Sequence, residues 1–224
     1  MEIRKQIYSG KGVVMEQNKI YNEDCLDTMS KMPDDYVDLT ITSPPYNIGK
    51  MHSNHLQFGT YDGNNMKEDD YQLWQIDILN KLYDKTKSTG SLFYNHKVRI
   101  KNGIATHPLE FILKNKWILK QEIVWDMAKS ANCDKIRYFP FSERVYWLVK
   151  DSKTKLKNDL SLSDVWRCVP TNKRKNNKHI AVMPEVIVDN ILKTNIGYIV
   201  YDPFMGSGTT AKMALKNNRK YIGI

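Results

Sequence analysis

Tyr198-Ile199-Val200-Tyr201-Asp202-Pro203-Phe204-Met205-Gly206-Ser207-Gly208-Thr209-Thr210 reads as a strand, a glycine-rich turn and the start of a helix. The first four residues are β-branched or aromatic, as in a buried strand. Gly206 and Gly208 permit positive φ and a close approach of ligand to backbone. Asp202, at the strand's end, is placed to balance a cationic group. No lysine follows as in a phosphate-binding loop, and the third glycine of the dinucleotide fingerprint is absent. The turn therefore suits a nucleoside-like ligand with a small polar or charged part.

A second turn has the same setting near the front of the chain. Val37-Asp38-Leu39-Thr40-Ile41 is strand-like and leads into Thr42-Ser43-Pro44-Pro45-Tyr46-Asn47. Pro44 and Pro45 fix two successive φ angles and remove two amide donors, so nearby carbonyls can face outward uncontested. An exocyclic amine has two hydrogens. The Ser43 hydroxyl and the Pro44 carbonyl can accept both, and the Tyr46 ring offers a face on which a flipped base can stack. The plain alternative is a rigid turn closing a strand with a packed tyrosine.

Outward from these turns, strands are expected at about 37–42, 90–95, 118–125, 143–149, 198–202 and 220–224. Helices are expected over 67–87, 107–115, 184–194 and 208–217. Tyr71, Trp74, Ile78 and Leu82 share one helical face, and Val186, Ile187, Ile191 and Leu192 share another, with Pro184 in a first turn. Strands alternating with helices imply an α/β fold, a mostly parallel sheet with helices on both faces. Sites in such folds form beyond the carboxyl ends of the strands, where both turns fall.

The chain's 224 residues suit one domain with a real core; 41% are hydrophobic and 26% charged, which is ordinary for a globular protein. Lys plus Arg is 34 against 25 Asp plus Glu, a formal excess of nine that favours a polyanionic partner. The bland reading is a solvated basic face. Cys25, Cys133 and Cys168 are odd in number and widely spaced, so a reduced, cytoplasmic protein without a metal site is expected. His52 and His55 read as loop histidines. Residues 1–18 read as an N-terminal leader and 19–224 as a single catalytic domain. Two loops, 47–66 and 151–179, flank the site; Lys173, Arg174 and Lys175 in the second, with Arg137 elsewhere, are candidate DNA contacts.

The two turns resemble the amino-group DNA methyltransferases, in particular the circularly permuted β-group, in which the catalytic motif precedes the cofactor motif. The resemblance covers nearly all of residues 19–224. It implies a Rossmann-like fold, S-adenosyl-L-methionine (AdoMet) as methyl donor and double-stranded DNA as partner. It makes Ser43, Pro44, Pro45 and Tyr46 the catalytic motif. Asp202, Phe204, Gly206, Ser207, Gly208, Thr209 and Thr210 would be the AdoMet turn. His179, Ala181, Pro184 and Glu185 would hold the methionine part, with Asp24 and Cys25 on the adenine side. Glu23 stands where the family has Gly, and Trp125-Asp126 and Ser142-Glu143-Arg144 resemble strands lining the target pocket. The family's acidic ribose contact would be the residue after Ile224; a protein without it is expected to bind AdoMet weakly.

Ser43 in place of the commoner aspartate, and His179-x-Ala181-x-x-Pro184, point to the N4 of cytosine, with the N6 of adenine as the alternative. No cysteine has the Pro-Cys context of a C5 nucleophile, so direct transfer to the amine is expected. The family implies a restriction–modification setting with a cognate endonuclease and leaves a homodimer open. Methylation of a glutamine amide or an RNA base, and a catalytically silent DNA-binding subunit, are the competing readings.

Overall fold

The computed structural model describes residues 12–48, 66–128, 136–169 and 182–224. Eight strands form one sheet in the order β1 (Lys19–Ile20), β10 (Lys220–Gly223), β9 (Ile199–Asp202), β2 (Val37–Thr42), β3 (Thr86–His96), β7 (Ser142–Val149), β6 (Ile118–Asp126), β8 (Val165–Arg167). Every neighbouring pair is parallel except those made by β7, which runs against both β3 and β6. A separate hairpin joins β4 (Arg99–Lys101) to β5 (Ile104–Thr106). The expected mostly parallel α/β architecture is present.

Alternation along the strands divides the core between the two faces of the sheet. Leu92, Tyr94, Tyr146, Leu148, Ile199 and Tyr201 face α1 (Cys25–Lys31), α2 (Glu68–Lys85) and α3 (Leu109–Ile112). Leu39, Ile41, Phe93, Val145, Trp147 and Val200 face α4 (Glu185–Thr194) and α5 (Thr209–Lys216). Glu68, Asp69 and Asp70 occupy the first turn of α2, where acidic side chains complement the helix dipole. Tyr71, Ile78 and Leu82 of α2 are buried as the spacing required, joined by Gln75 and Leu79.

Some expectations are corrected. Val186 is 46% exposed: the inward stripe of α4 is Ile187, Val188, Ile191 and Leu192, and Val186 falls outside it. The helix expected over 107–115 contracts to the single turn of α3. Residues 151–169, read as loop, contain β8, which extends the sheet by pairing with β6. Residues 12–18, read as part of a leader, join the domain. Met15 is buried, its carbonyl accepts from Tyr36 Oη, and Asn18 N–H donates to the Tyr221 carbonyl. Among the described residues no helix is long and apolar enough to cross a membrane.

The chain leaves β9 through α5 for β10 on one side, and leaves β2 through α2 for β3 on the other. The adjoining carboxyl ends of β9 and β2 are therefore the sheet's switch point, where a crevice opens.

Candidate active site

Asp202 ends β9 and is almost wholly buried, at 4% exposure. Its Oδ1 accepts from Thr42 Oγ1 at 2.7 Å and from the Phe204 N–H at 3.0 Å, while Oδ2 accepts from Thr210 Oγ1 at 2.7 Å. One carboxylate thus stitches the end of β2, its own turn and the first turn of α5. Burial pushes its pKa up to about 6, against the pull of the Thr210, Thr42 and Phe204 donors. Sequence placed Asp202 to face a cationic ligand; the structure turns the carboxylate inward onto these donors. Gly206 (φ 51°) and Gly208 (φ 82°) lie in the left-handed region, as the reading of the turn required. A Cβ at Gly208 would meet nothing within 4 Å, so the backbone there borders open space.

The other half of the crevice is built on the Ser43 turn. Tyr46 Oη is 2.8 Å from Ser43 Oγ, 2.8 Å from Asn95 Oδ1 and 3.0 Å from Glu143 Oε2. Asn95 Nδ2 donates to the Arg144 carbonyl at 2.9 Å, which fixes the amide so that Oδ1 faces Tyr46. Behind the turn, Tyr71 Oη donates to the Pro45 carbonyl at 2.7 Å and lies 2.7 Å from His96 Nε2. This accounts for one of the two proline carbonyls. Burial pushes the His96 imidazole down to about 3, so the ring is neutral, and it lies 4.6 Å from the Tyr46 ring between centroids. Lys97 Nζ stands 5.7 Å from the centre of the Tyr46 ring.

Two rigid turns meeting at a switch point, in the order catalytic then cofactor, agree with a family match. A model described as DNA methylase matches residues 37–224. The chain belongs to this DNA methylase family. Its relatives include the type II methyltransferase M.BglII of Bacillus subtilis, 28% identical over 92% of this chain and 64% of the relative. The DNA adenine methyltransferase YhdJ of Escherichia coli K12 is 27% identical, over 93% of this chain and 78% of its own. The chain therefore spans under two thirds of M.BglII. The solved PvuII DNA methyltransferase (cytosine-N4-specific) shares the fold with a TM-score of 0.76 at 18% identity, covering 97% of this chain and 85% of that one. M1.HpyAVI, solved as a SAM complex, gives 0.63 at 21% identity over 92% of each chain.

In this methylase the remaining candidate residues fall in three groups. Asp24, at the carboxyl end of β1, is exposed and caps α1, its Oδ1 accepting from the Leu26 N–H at 2.7 Å. The Cys25 side chain is in the core, where burial pushes the thiol up to about 12, so only its backbone can meet a ligand. Phe204 packs edge-on to Trp74, with centroids 5.9 Å apart. Ser207 Oγ lies 3.2 Å from Thr209 Oγ1 at the rim of the turn. Pro184 is buried as the N-cap of α4, and Glu185 pairs with Lys212 of α5, bringing that end of α4 to the cofactor turn. Arg137 sits in an exposed segment with Ile136, Tyr138 and Phe139 that leads into β7 and Glu143. His179, Ala181, Lys173, Arg174 and Lys175 lie outside the described residues, as do His52, His55 and Cys133.

Asn95, His96 and Tyr71 were not singled out as site residues. Asn95 and His96 carry a faint signal, two polar residues ending the apolar run Leu92-Phe93-Tyr94. Tyr71 looked like any core residue of an amphipathic helix. Glu143 was placed only in a pocket-lining strand; the structure puts its carboxylate on the catalytic tyrosine.

Proposed function

We propose that this protein transfers a methyl group from AdoMet to the exocyclic N4 of a flipped cytosine in duplex DNA. The observation that carries this is the Thr42–Asp202 hydrogen bond, which locks the Ser43 turn and the glycine turn into one crevice. The fit to AdoMet rests on the positive φ of Gly206 and Gly208 and the open space above Gly208. Asp24, Phe204, Ser207, Thr209 and Glu185 would hold it, helped by His179 and Ala181. When bound it supplies an electrophilic methyl group on a sulfonium sulfur.

The chain's own residues do the rest. Ser43 Oγ and the Pro44 carbonyl accept the two amine hydrogens, which aims the nitrogen and keeps electron density on it. Such orientation and preorganised acceptance lower the barrier without a covalent nucleophile. Pro44 and Pro45 hold the acceptors rigid, and Tyr71 braces the Pro45 carbonyl from behind. The Tyr46 ring receives the flipped base. The basic excess of nine charges, with Arg137 and Lys173, Arg174 and Lys175 at loops beside the site, meets the DNA backbone. A cognate restriction endonuclease completes the biological setting.

Adenine N6 is the second reading, favoured by the similarity to YhdJ. Both amines fit the same pair of acceptors. Nucleoside mass spectrometry of duplex DNA incubated with the protein and methyl-labelled AdoMet separates them. Labelled N4-methylcytosine is expected. Labelled N6-methyladenine alone would move the assignment to adenine, and no labelled base would leave a silent DNA-binding subunit.

A further inference from the structure

The hydroxyl of Tyr46 is the hub of a cluster that is one proton short. It makes three contacts, to Ser43 Oγ, Asn95 Oδ1 and Glu143 Oε2. Each needs one hydrogen. The Asn95 oxygen only accepts, because its nitrogen is committed to the Arg144 carbonyl. An ionised Glu143 also only accepts. Ser43 and Tyr46 then supply two hydrogens for three contacts. A third proton, on Glu143, satisfies them all: Ser43 and Glu143 donate to Tyr46 Oη, and Tyr46 donates to Asn95.

We propose that Glu143 is the terminal acceptor of the proton released in methyl transfer, reached from the target amine through Ser43 and Tyr46. This rests on the methyltransferase reading above. The N–CH3 bond forms as the donor's S–CH3 bond breaks, sulfur keeping the electron pair and nitrogen gaining a positive charge. Nitrogen then passes a proton to Ser43 Oγ, Ser43 passes its own to Tyr46 Oη, and Tyr46 passes its own to Glu143 Oε2. Ser43 and Tyr46 end as they began. The sulfonium charge and the carboxylate charge disappear together, which a water-poor crevice favours.

The surroundings of Glu143 suit this role. Burial raises its proton affinity, opposed mainly by the Lys97 ammonium, and by the Tyr46 and Asn95 side chains that bond to the carboxylate. Lys97 follows β3, Tyr46 follows β2, Arg144 is its neighbour on β7, and Trp125 is its register partner on β6. Tyr46 is different: burial and the Glu143 charge hold its phenol well above the ordinary range, so it relays a proton without resting as phenolate.

Glu143→Gln keeps the shape and one acceptor but cannot take a proton. Expected is a fall in kcat of about a hundredfold, the lower range for general acid–base groups, with AdoMet and DNA affinities changed less than threefold. The wild-type kcat profile should rise with pH through an acid limb above the ordinary glutamate range, and this limb should vanish in the variant. Tyr46→Phe cuts the relay but keeps the ring; the double variant should be no slower than the slower single one. A readout free of turnover is difference infrared spectroscopy of the AdoMet-free protein. A carboxylic-acid band titrating above the ordinary glutamate range should be present in wild type and missing in Glu143→Gln. The relay is overturned if wild type methylates DNA and Glu143→Gln keeps kcat within threefold with the same pH profile. Loss of activity arising only from lost AdoMet or DNA affinity also overturns it. A wild-type protein that labels no DNA removes the methyltransferase reading, and the relay with it.

Discussion

At Asp202 three donors converge on one carboxylate, whereas at Tyr46 three contacts share two hydrogens when Glu143 is ionised. Both clusters sit at the same end of one sheet, on neighbouring turns. The first is complete and joins β2, β9 and α5, so its work is to hold geometry. The second is left with room for a proton, so its work is chemical. A matched set of buried hydrogen bonds rigidifies, and a set short of one proton is poised to gain it.

Substitutions can break this contrast. Asp202→Ala leaves Thr42 Oγ1, Thr210 Oγ1 and the Phe204 N–H without their acceptor, and is expected to cost on the order of 4 kcal/mol in urea unfolding. A next test is pH. Asp202 titrates at about 6 in the fold, whereas an unfolded aspartate titrates at about 3.9. The fold holds more protons in that window, so this group's contribution to stability should fall as pH rises from about 4 to about 6, by on the order of 3 kcal/mol. The difference between wild-type and Asp202→Asn unfolding curves should carry that slope.

At the other cluster the sizes reverse. Glu143→Gln should raise the transfer barrier by about 2.7 kcal/mol, the equivalent of the hundredfold loss, yet move the unfolding midpoint by less than about 1 kcal/mol. A large loss of stability would mean that Glu143 is a second clamp, and the contrast would collapse. The smallest effect is expected at Gly208→Ala. The added methyl meets no atom, so only the φ of 82° is penalised, by about 1 kcal/mol in unfolding, with weakened AdoMet binding in calorimetry.

The same contrast explains what was legible in the sequence. Pro44, Pro45, Gly206 and Gly208 impose backbone geometry by themselves, so both turns, and the strands feeding them, could be read locally. The Asp202 clamp could not, because Thr42 and Asp202 are 160 residues apart and meet only through β2–β9 pairing. Glu143 and Asn95 likewise reach Tyr46 only through the registers of β3 and β7. The two-residue β1 and three-residue β8 exist by pairing with longer neighbours, and nothing in so short a run announces a strand. The β4–β5 hairpin did carry a signal that went unread: Asn102 (φ 53°) and Gly103 (φ 76°) form the favoured two-residue hairpin turn. Helix α1 is seven residues long, and only its Asp24 cap marks the start.

The central claim, that a clamped cofactor half serves a chemical base half, is tested most directly by single-turnover methyl transfer with Ser43→Ala at saturating AdoMet and duplex DNA. The account predicts a rate about a hundredfold below wild type with saturation reached at the same AdoMet concentration, since Ser43 lies in the chemical half. A wild-type rate, or a loss that more AdoMet restores, would contradict it.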